Sequence, residues 1–182
     1  MPNVTLLEPA QAPADVKELY EDFQRRMGFP APPNFIKAQG HSLPVAQGTW
    51  GLVQNVLVRG SLPRSLKEMM FSAISRDRGC AYCEAAHLAC CRMLGVDTET
   101  LDKLTNDIGS LSPAKVRDII EFGRKAARGP RTLEPADFER LRGHGMSQGE
   151  ILEVISMAGL AVYANIMADA TAVEADTMFT SF

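Results

Sequence analysis

The 182-residue chain has no basic excess. Nineteen Lys and Arg stand against twenty-two Asp and Glu, which leaves a formal charge of −3. No nucleic acid and no anionic membrane is expected as a partner, because counterion release needs a basic surface. The chain also lacks a long unbroken apolar run. The longest mostly apolar segment, Val154 to Ala168, is interrupted by Ser156 and Asn165. It is shorter than the roughly 18–20 residues of a bilayer span, so it reads as a core helix. The opening Met1-Pro2-Asn3 shows no basic stretch followed by an apolar one, and the cytoplasm is the expected compartment. No segment alternates apolar and polar residues, and no Asn-Gly or Asp-Gly pair marks a hairpin. No low-complexity stretch or linker divides the chain, so residues 1–182 read as one domain. Cysteine is absent except between Cys80 and Cys91, where all four fall.

What remains is helical periodicity. From Asp15 to Met27 the apolar Val16, Leu19, Tyr20, Phe23 and Met27 recur at steps of three and four. Gly28 and Pro30-Ala31-Pro32-Pro33 stop that helix. Further helices are expected over 34–40, over 44–59 and from a first-turn Pro63 to about Gly79. Others are expected over 81–94, 98–108 and 135–142. Ser112 as a cap and Pro113 in the first turn predict a helix to Ala127. Ser147-Gln-Gly-Glu150 fits a capping box and opens a long helical stretch toward Met178. The fold class is all-α. A shift of 85 residues lays Leu66, Met69, Met70 and Ala73 on Ile151, Val154, Ile155 and Ala158. It also lays Glu68 on Glu153 and Cys80 on Asn165. A degenerate internal repeat is one reading, and two unrelated amphipathic helices are the other.

The chemistry-bearing segment is Gly79-Cys80-Ala81-Tyr82-Cys83-Glu84-Ala85-Ala86-His87. On a helix Cys80, Cys83, His87, Cys90, Cys91 and Leu94 share an arc of about 100°. Cys80 and Cys83, one turn apart, are placed to exchange dithiol for disulfide. His87, four residues after Cys83, is placed to help generate its thiolate. Cys80 starts the helix, where the dipole favours a thiolate as well. Proximity to His87 makes Cys83 the preferred nucleophile, and the dipole keeps Cys80 as the alternative. Two other readings stand beside redox chemistry. The cysteines could simply pack as small hydrophobes, which is the preferred reading for Cys90 and Cys91. Cys80, Cys83 and His87 could hold zinc, which needs a fourth ligand. No second CxxC or HxxxH supplies it, so no metal and no cofactor is expected. Glu68 falls opposite the stripe of Leu66, Met69, Met70 and Ala73, where periodicity makes it a solvated glutamate. His41 and His144 are isolated and read as exposed or structural.

Glu68, eleven intervening residues, Cys80-Ala-Tyr-Cys83, three more and His87 resemble the signature of the alkylhydroperoxidase D-like proteins. These belong to the carboxymuconolactone decarboxylase-like superfamily. The core of the resemblance covers about residues 34–125. It implies a single-domain helical bundle. It also implies that Cys83 is peroxidatic, Cys80 resolving, His87 the relay imidazole and Glu68 its acidic end. The implied partners are a hydroperoxide substrate and a dithiol reductant, such as a lipoyl domain or a thioredoxin-like protein. A homo-oligomer, a trimer or hexamer, is implied too. It agrees with a helix around Glu68 whose two faces look ready to be sandwiched between subunits. Tyr82 departs from the pattern, since the best-characterised members carry a histidine there. The runner-up functions are a carboxymuconolactone decarboxylase-type lyase and a non-catalytic helical oligomeric module.

Overall fold

A computed structural model describes residues 2–180. Met1, Ser181 and Phe182 of the expected 1–182 domain lie outside the described residues. Among these the chain forms ten α-helices and no strand. They are α1 (Ala14–Met27), α2 (Asn34–Gln39), α3 (Leu43–Leu52), α4 (Arg64–Arg78), α5 (Ala81–Met93) and α6 (Thr98–Asn106). They continue with α7 (Ala114–Arg128), α8 (Pro135–Gly143), α9 (Gln148–Thr171) and α10 (Thr177–Thr180). A π-helical turn, Val53–Val58, extends α3.

Helix α1 buries the five apolar residues of its stripe and ends at Gly28, whose φ of 80° is the left-handed cap that glycine accepts without strain. Two helices start one residue later than the sequence suggests. Pro63 (ψ 135°) and Pro113 (ψ 162°) are extended, so each is the cap rather than the first helical residue. Ser112 therefore makes no cap to α7.

Helix α4 is the centre of the molecule. It packs against α5, α7 and α9, and every residue from Leu66 to Ser75 is buried. This overturns two expectations. Glu68 is not solvated, because the helix has no solvent face at that level. Over Leu66–Ser75 the sandwich is made within one chain, and only the ends of α4, such as Arg76–Arg78, reach solvent.

Helix α9 is the second core element. Its capping box forms, with Ser147 accepting from the Glu150 N–H and Glu150 from the Ser147 N–H. The helix runs 24 residues, longer than its apolar stretch, and is long and apolar enough to cross a bilayer by length and composition. Half of its most apolar window is buried against the rest of the fold. The 85-residue shift lays α4 on the first part of α9 but does not reproduce the break between α4 and α5. Gly79 (φ 76°) ends α4 in the left-handed region. The corresponding Ala164 lacks that freedom, and α9 continues straight through Asn165.

Candidate active site

The junction of α4 and α5 builds the thiol pair. After Gly79, the Cys80 N–H bonds to Ser75 O at 2.9 Å. This turns the chain so that Cys80 is the cap of α5 and Cys83 lies in its first turn. Both sulfurs therefore sit at a helix N-terminus, and the dipole does not separate them. Their surroundings do. Cys80 is fully buried, while Cys83 borders a cavity of about 60 Å³. The pKa of Cys80 is driven far above the ordinary thiol range. The Cys83 side chain beside it is the main cause, followed by burial and by Asp169 at the end of α9.

His87 borders the same cavity. Its Nδ1 lies 2.5 Å from Glu68 Oε2, and its ring stacks on Phe71 with centroids 3.5 Å apart. A carboxylate at Nδ1 fixes the tautomer of the neutral ring, with the proton on Nδ1 and the lone pair on Nε2. Among the described residues no hydrogen bond joins His87 to Cys83 directly. The cavity holds a few waters by volume, and six aromatic rings border it: Phe23, Phe29, Phe35, Phe71, Tyr82 and Phe179. Thr49 is the hydroxyl in its wall. It donates to Gln39 Oε1 and pairs with the Tyr163 hydroxyl at 2.7 Å.

The structure therefore brings together all four residues singled out in the sequence: Cys80, Cys83, His87 and Glu68. Residues 44–111 match the carboxymuconolactone decarboxylase family, and this span contains the whole Glu68-to-His87 motif. The comparison with curated proteins returned no match. Among solved structures, a peroxidase-related protein from Silicibacter sp. TM1040 is 25% identical. The match covers 99% of this chain and 95% of that one, with a TM-score of 0.87. An alkylhydroperoxidase AhpD core protein from Ralstonia eutropha JMP134 is 22% identical over 98% and 94%, with a TM-score of 0.88. Residues 44–111 are thus similar to the carboxymuconolactone decarboxylase family, and the chain shares the alkylhydroperoxidase D-like fold. The debrominase Bmp8 in complex with 2,3,4-tribromopyrrole shares this fold at 18% identity, over 98% and 94%, with a TM-score of 0.83.

Other parts of this candidate site had no signal in the motif. Arg64 Nε donates to Glu68 Oε1 at 3.1 Å, a one-turn pairing that the sequence spacing allows. The Tyr82 hydroxyl accepts from the Phe35 N–H at 3.1 Å and donates to Asp176 Oδ2 at 2.7 Å. Tyr82 therefore ties α5 to α2 and to the C-terminal segment while its ring faces the cavity. Burial raises the pKa of Asp176 against the opposing hydrogen bonds from Tyr82 and the Asn34 N–H. Phe179 of α10 packs on Phe29 and Tyr82 and closes one side of the cavity. Cys90 and Cys91 are buried, and burial followed by the Glu68 charge pushes both thiols up. Cys90 reaches the cavity wall and Cys91 packs in the core. His41 bonds to Thr5 O at 2.9 Å and His144 to Asp118 at 2.7 Å, both apart from the thiols. Among the described residues no group of three or more His, Cys, Asp and Glu is arranged to hold a metal ion.

Proposed function

We propose that the protein is a thiol peroxidase that reduces hydroperoxides through Cys83 and Cys80. The observation that carries this reading is the placement of Cys83 and His87 on one cavity, with the second nitrogen of His87 on a buried carboxylate. In the first step the Cys83 thiolate attacks the peroxide O–O bond. The sulfur takes the distal oxygen as a sulfenic acid, and the alkoxide leaves as the alcohol with a proton from His87. In the second, the Cys80 sulfur displaces water from that sulfenic acid and forms the disulfide. A dithiol, either a lipoyl domain or a thioredoxin-like protein, then takes over the disulfide and restores both thiols. A reducing compartment such as the cytoplasm suits this cycle.

Because both sulfurs are enclosed, the α10 side of the cavity must open for a protein reductant. We place a homo-oligomeric contact on α9, where Leu152, Ile155 and Ile166 are the exposed large apolar residues, since α4 is enclosed over Leu66–Ser75.

The aromatic walls favour a second substrate for the same dithiol. Once the α10 side opens, a flat halogenated ring would stack on these walls, by analogy with the debrominase of the same fold, solved with 2,3,4-tribromopyrrole. Replacing ring bromine by hydrogen consumes two thiols and yields one disulfide and HBr, so the electrons balance on Cys80 and Cys83.

One assay separates the readings. The reduced protein is mixed with cumene hydroperoxide or a bromopyrrole, and thiols, peroxide and bromide are followed together. Stoichiometric loss of two thiols per peroxide supports the first reading, and bromide release supports the second. Turnover of a lactone with blocked thiols would replace both with the decarboxylase reading.

A further inference from the structure

Glu68 has a fully buried carboxylate, and burying such a charge is costly unless cations or donors satisfy it. Its two oxygens divide the task. Oε2 faces His87 Nδ1 at 2.5 Å, and Oε1 receives Nε of Arg64 at 3.1 Å. Arg64 is the first residue of α4, one turn before Glu68. Its side chain keeps 22% of its exposure, so the guanidinium joins the buried carboxylate to solvent. Its Nη2 also lies 3.6 Å from the Met27 sulfur at the end of α1. The planar fork is thus held on two sides, and Lys cannot reproduce that.

We propose that Arg64 is a positioning residue for the Cys83 reaction, keeping Glu68 ionised and turned toward His87 and weakening the hold of the Glu68–His87 pair on an extra proton. This rests on the peroxidase reading of the site. The reasoning is electrostatic. When His87 takes up a proton, the new cation faces the Glu68 carboxylate with Arg64 already on its far side. Arg64 therefore opposes that uptake. Without Arg64 the carboxylate is free for a proton shared with His87, and the pair stays protonated to higher pH, whichever member carries the proton. Without Glu68 the shift runs the other way, because the imidazolium loses its counter-charge. At an effective dielectric near 20, a unit charge within about 7 Å moves such an equilibrium by roughly one pH unit or more. Arg64 and Glu68 thus push the base-forming step in opposite directions.

The test is the pH profile of single-turnover Cys83 oxidation by cumene hydroperoxide in the full chain. It compares wild type, Arg64→Met, Arg64→Gln, Arg64→Lys and Glu68→Gln. Arg64→Met is expected to move the acid limb up by about one unit while the high-pH plateau survives. Arg64→Gln, which retains a donor, covers a Met variant that does not fold. Arg64→Lys is expected to leave the limb in place, because the charge stays. Glu68→Gln is expected to move the limb down. The His87 ring titration, followed by NMR in the same variants, reads the same shift without any activity. An Arg64→Met or Arg64→Gln limb and ring titration that coincide with wild type would overturn the proposal. So would a uniform loss of rate at all pH values, which is what a purely structural arginine produces. If wild type itself leaves Cys83 unoxidised, the peroxidase reading fails, and the ring titration alone decides the electrostatic role of Arg64.

Discussion

Glu153→Gln is expected to cost stability in a pH-dependent way. Glu153 Oε1 accepts from the Ser61 N–H at 2.7 Å, and Oε2 accepts from the Leu62 N–H at 3.1 Å and from Lys67 Nζ at 2.9 Å. Lys67 is 1% exposed and otherwise bonds only to the carbonyls of Val56 and Arg59. Gly60 turns the chain between them at φ 106°, and a Cβ there would lie 2.8 Å from Lys67 Nζ and against the Glu153 carboxylate. Burial raises the pKa of Glu153, but the Ser61 N–H, Lys67 and the Leu62 N–H outweigh it and bring it from 4.5 to about 2. At about 1.4 kcal/mol per unit, discounted because Glu153 reaches solvent, that amounts to about 1–3 kcal/mol. Leaving Lys67 as an unpaired buried cation adds to the loss, so Glu153→Gln is expected to cost about 2–4 kcal/mol at pH 7. For a chain of this size that lowers Tm by roughly 5–15 °C. The sign is that of a lowered carboxyl pKa. Its contribution is fully present above the unfolded value near 4.5 and is lost as pH falls through about 2. Thermal melts of both proteins from pH 7 to pH 2.5 should therefore converge at the acid end. A gap of constant size across that range, or none at pH 7, would refute the electrostatic argument.

The site and the core carry further expected outcomes. Glu68→Gln should slow Cys83 oxidation by roughly tenfold or more at pH 7, with a defect that shrinks as pH falls, where the variant's imidazole is still free of its proton and the wild-type one is not. An unchanged rate and profile would remove Glu68 from the reaction. Gly123→Ala places a Cβ against the side chain of Met70, 2.9 Å from its Cγ, in a fully buried setting. Calorimetry should show a loss of about 1–3 kcal/mol. Light scattering at micromolar concentration should show an assembly, and Ile166→Glu on the exposed side of α9 should reduce it to a monomer. A wild-type monomer would remove the α9 contact.

Local spacing makes much of this molecule legible. The stripe of α1, the Ser147–Glu150 box and the placement of Cys80, Cys83 and His87 all depend on residues within about two turns, and those distances are set by helix geometry. Periodicity misplaces Glu68 for a definable reason. It assigns the residue opposite an apolar stripe to solvent, but α4 is wrapped by α5, α7 and α9, so its polar face is inside. Lys67, Ser72 and Ser75 carry the same hidden signal, since all are buried. The resemblance supplies the role of Glu68 that the pattern cannot. Asp176 and Phe179 have no local signal at all. They reach Tyr82 from about 95 residues away, and only the folded chain places them. The repeat is half legible, because apolar spacing matches between α4 and α9 while the glycine that breaks the first copy has no counterpart in the second.

The central claim is that Cys83 attacks and Cys80 resolves. The most direct measurement adds one equivalent of cumene hydroperoxide to the reduced Cys80→Ser and Cys83→Ser variants at pH 7, with dimedone present, and then locates the adduct by peptide mass analysis. The account predicts that Cys80→Ser consumes one peroxide and carries the dimedone adduct on Cys83, while Cys83→Ser leaves the peroxide untouched. An adduct on Cys80 in the Cys83→Ser variant, with Cys80→Ser inert, would contradict it.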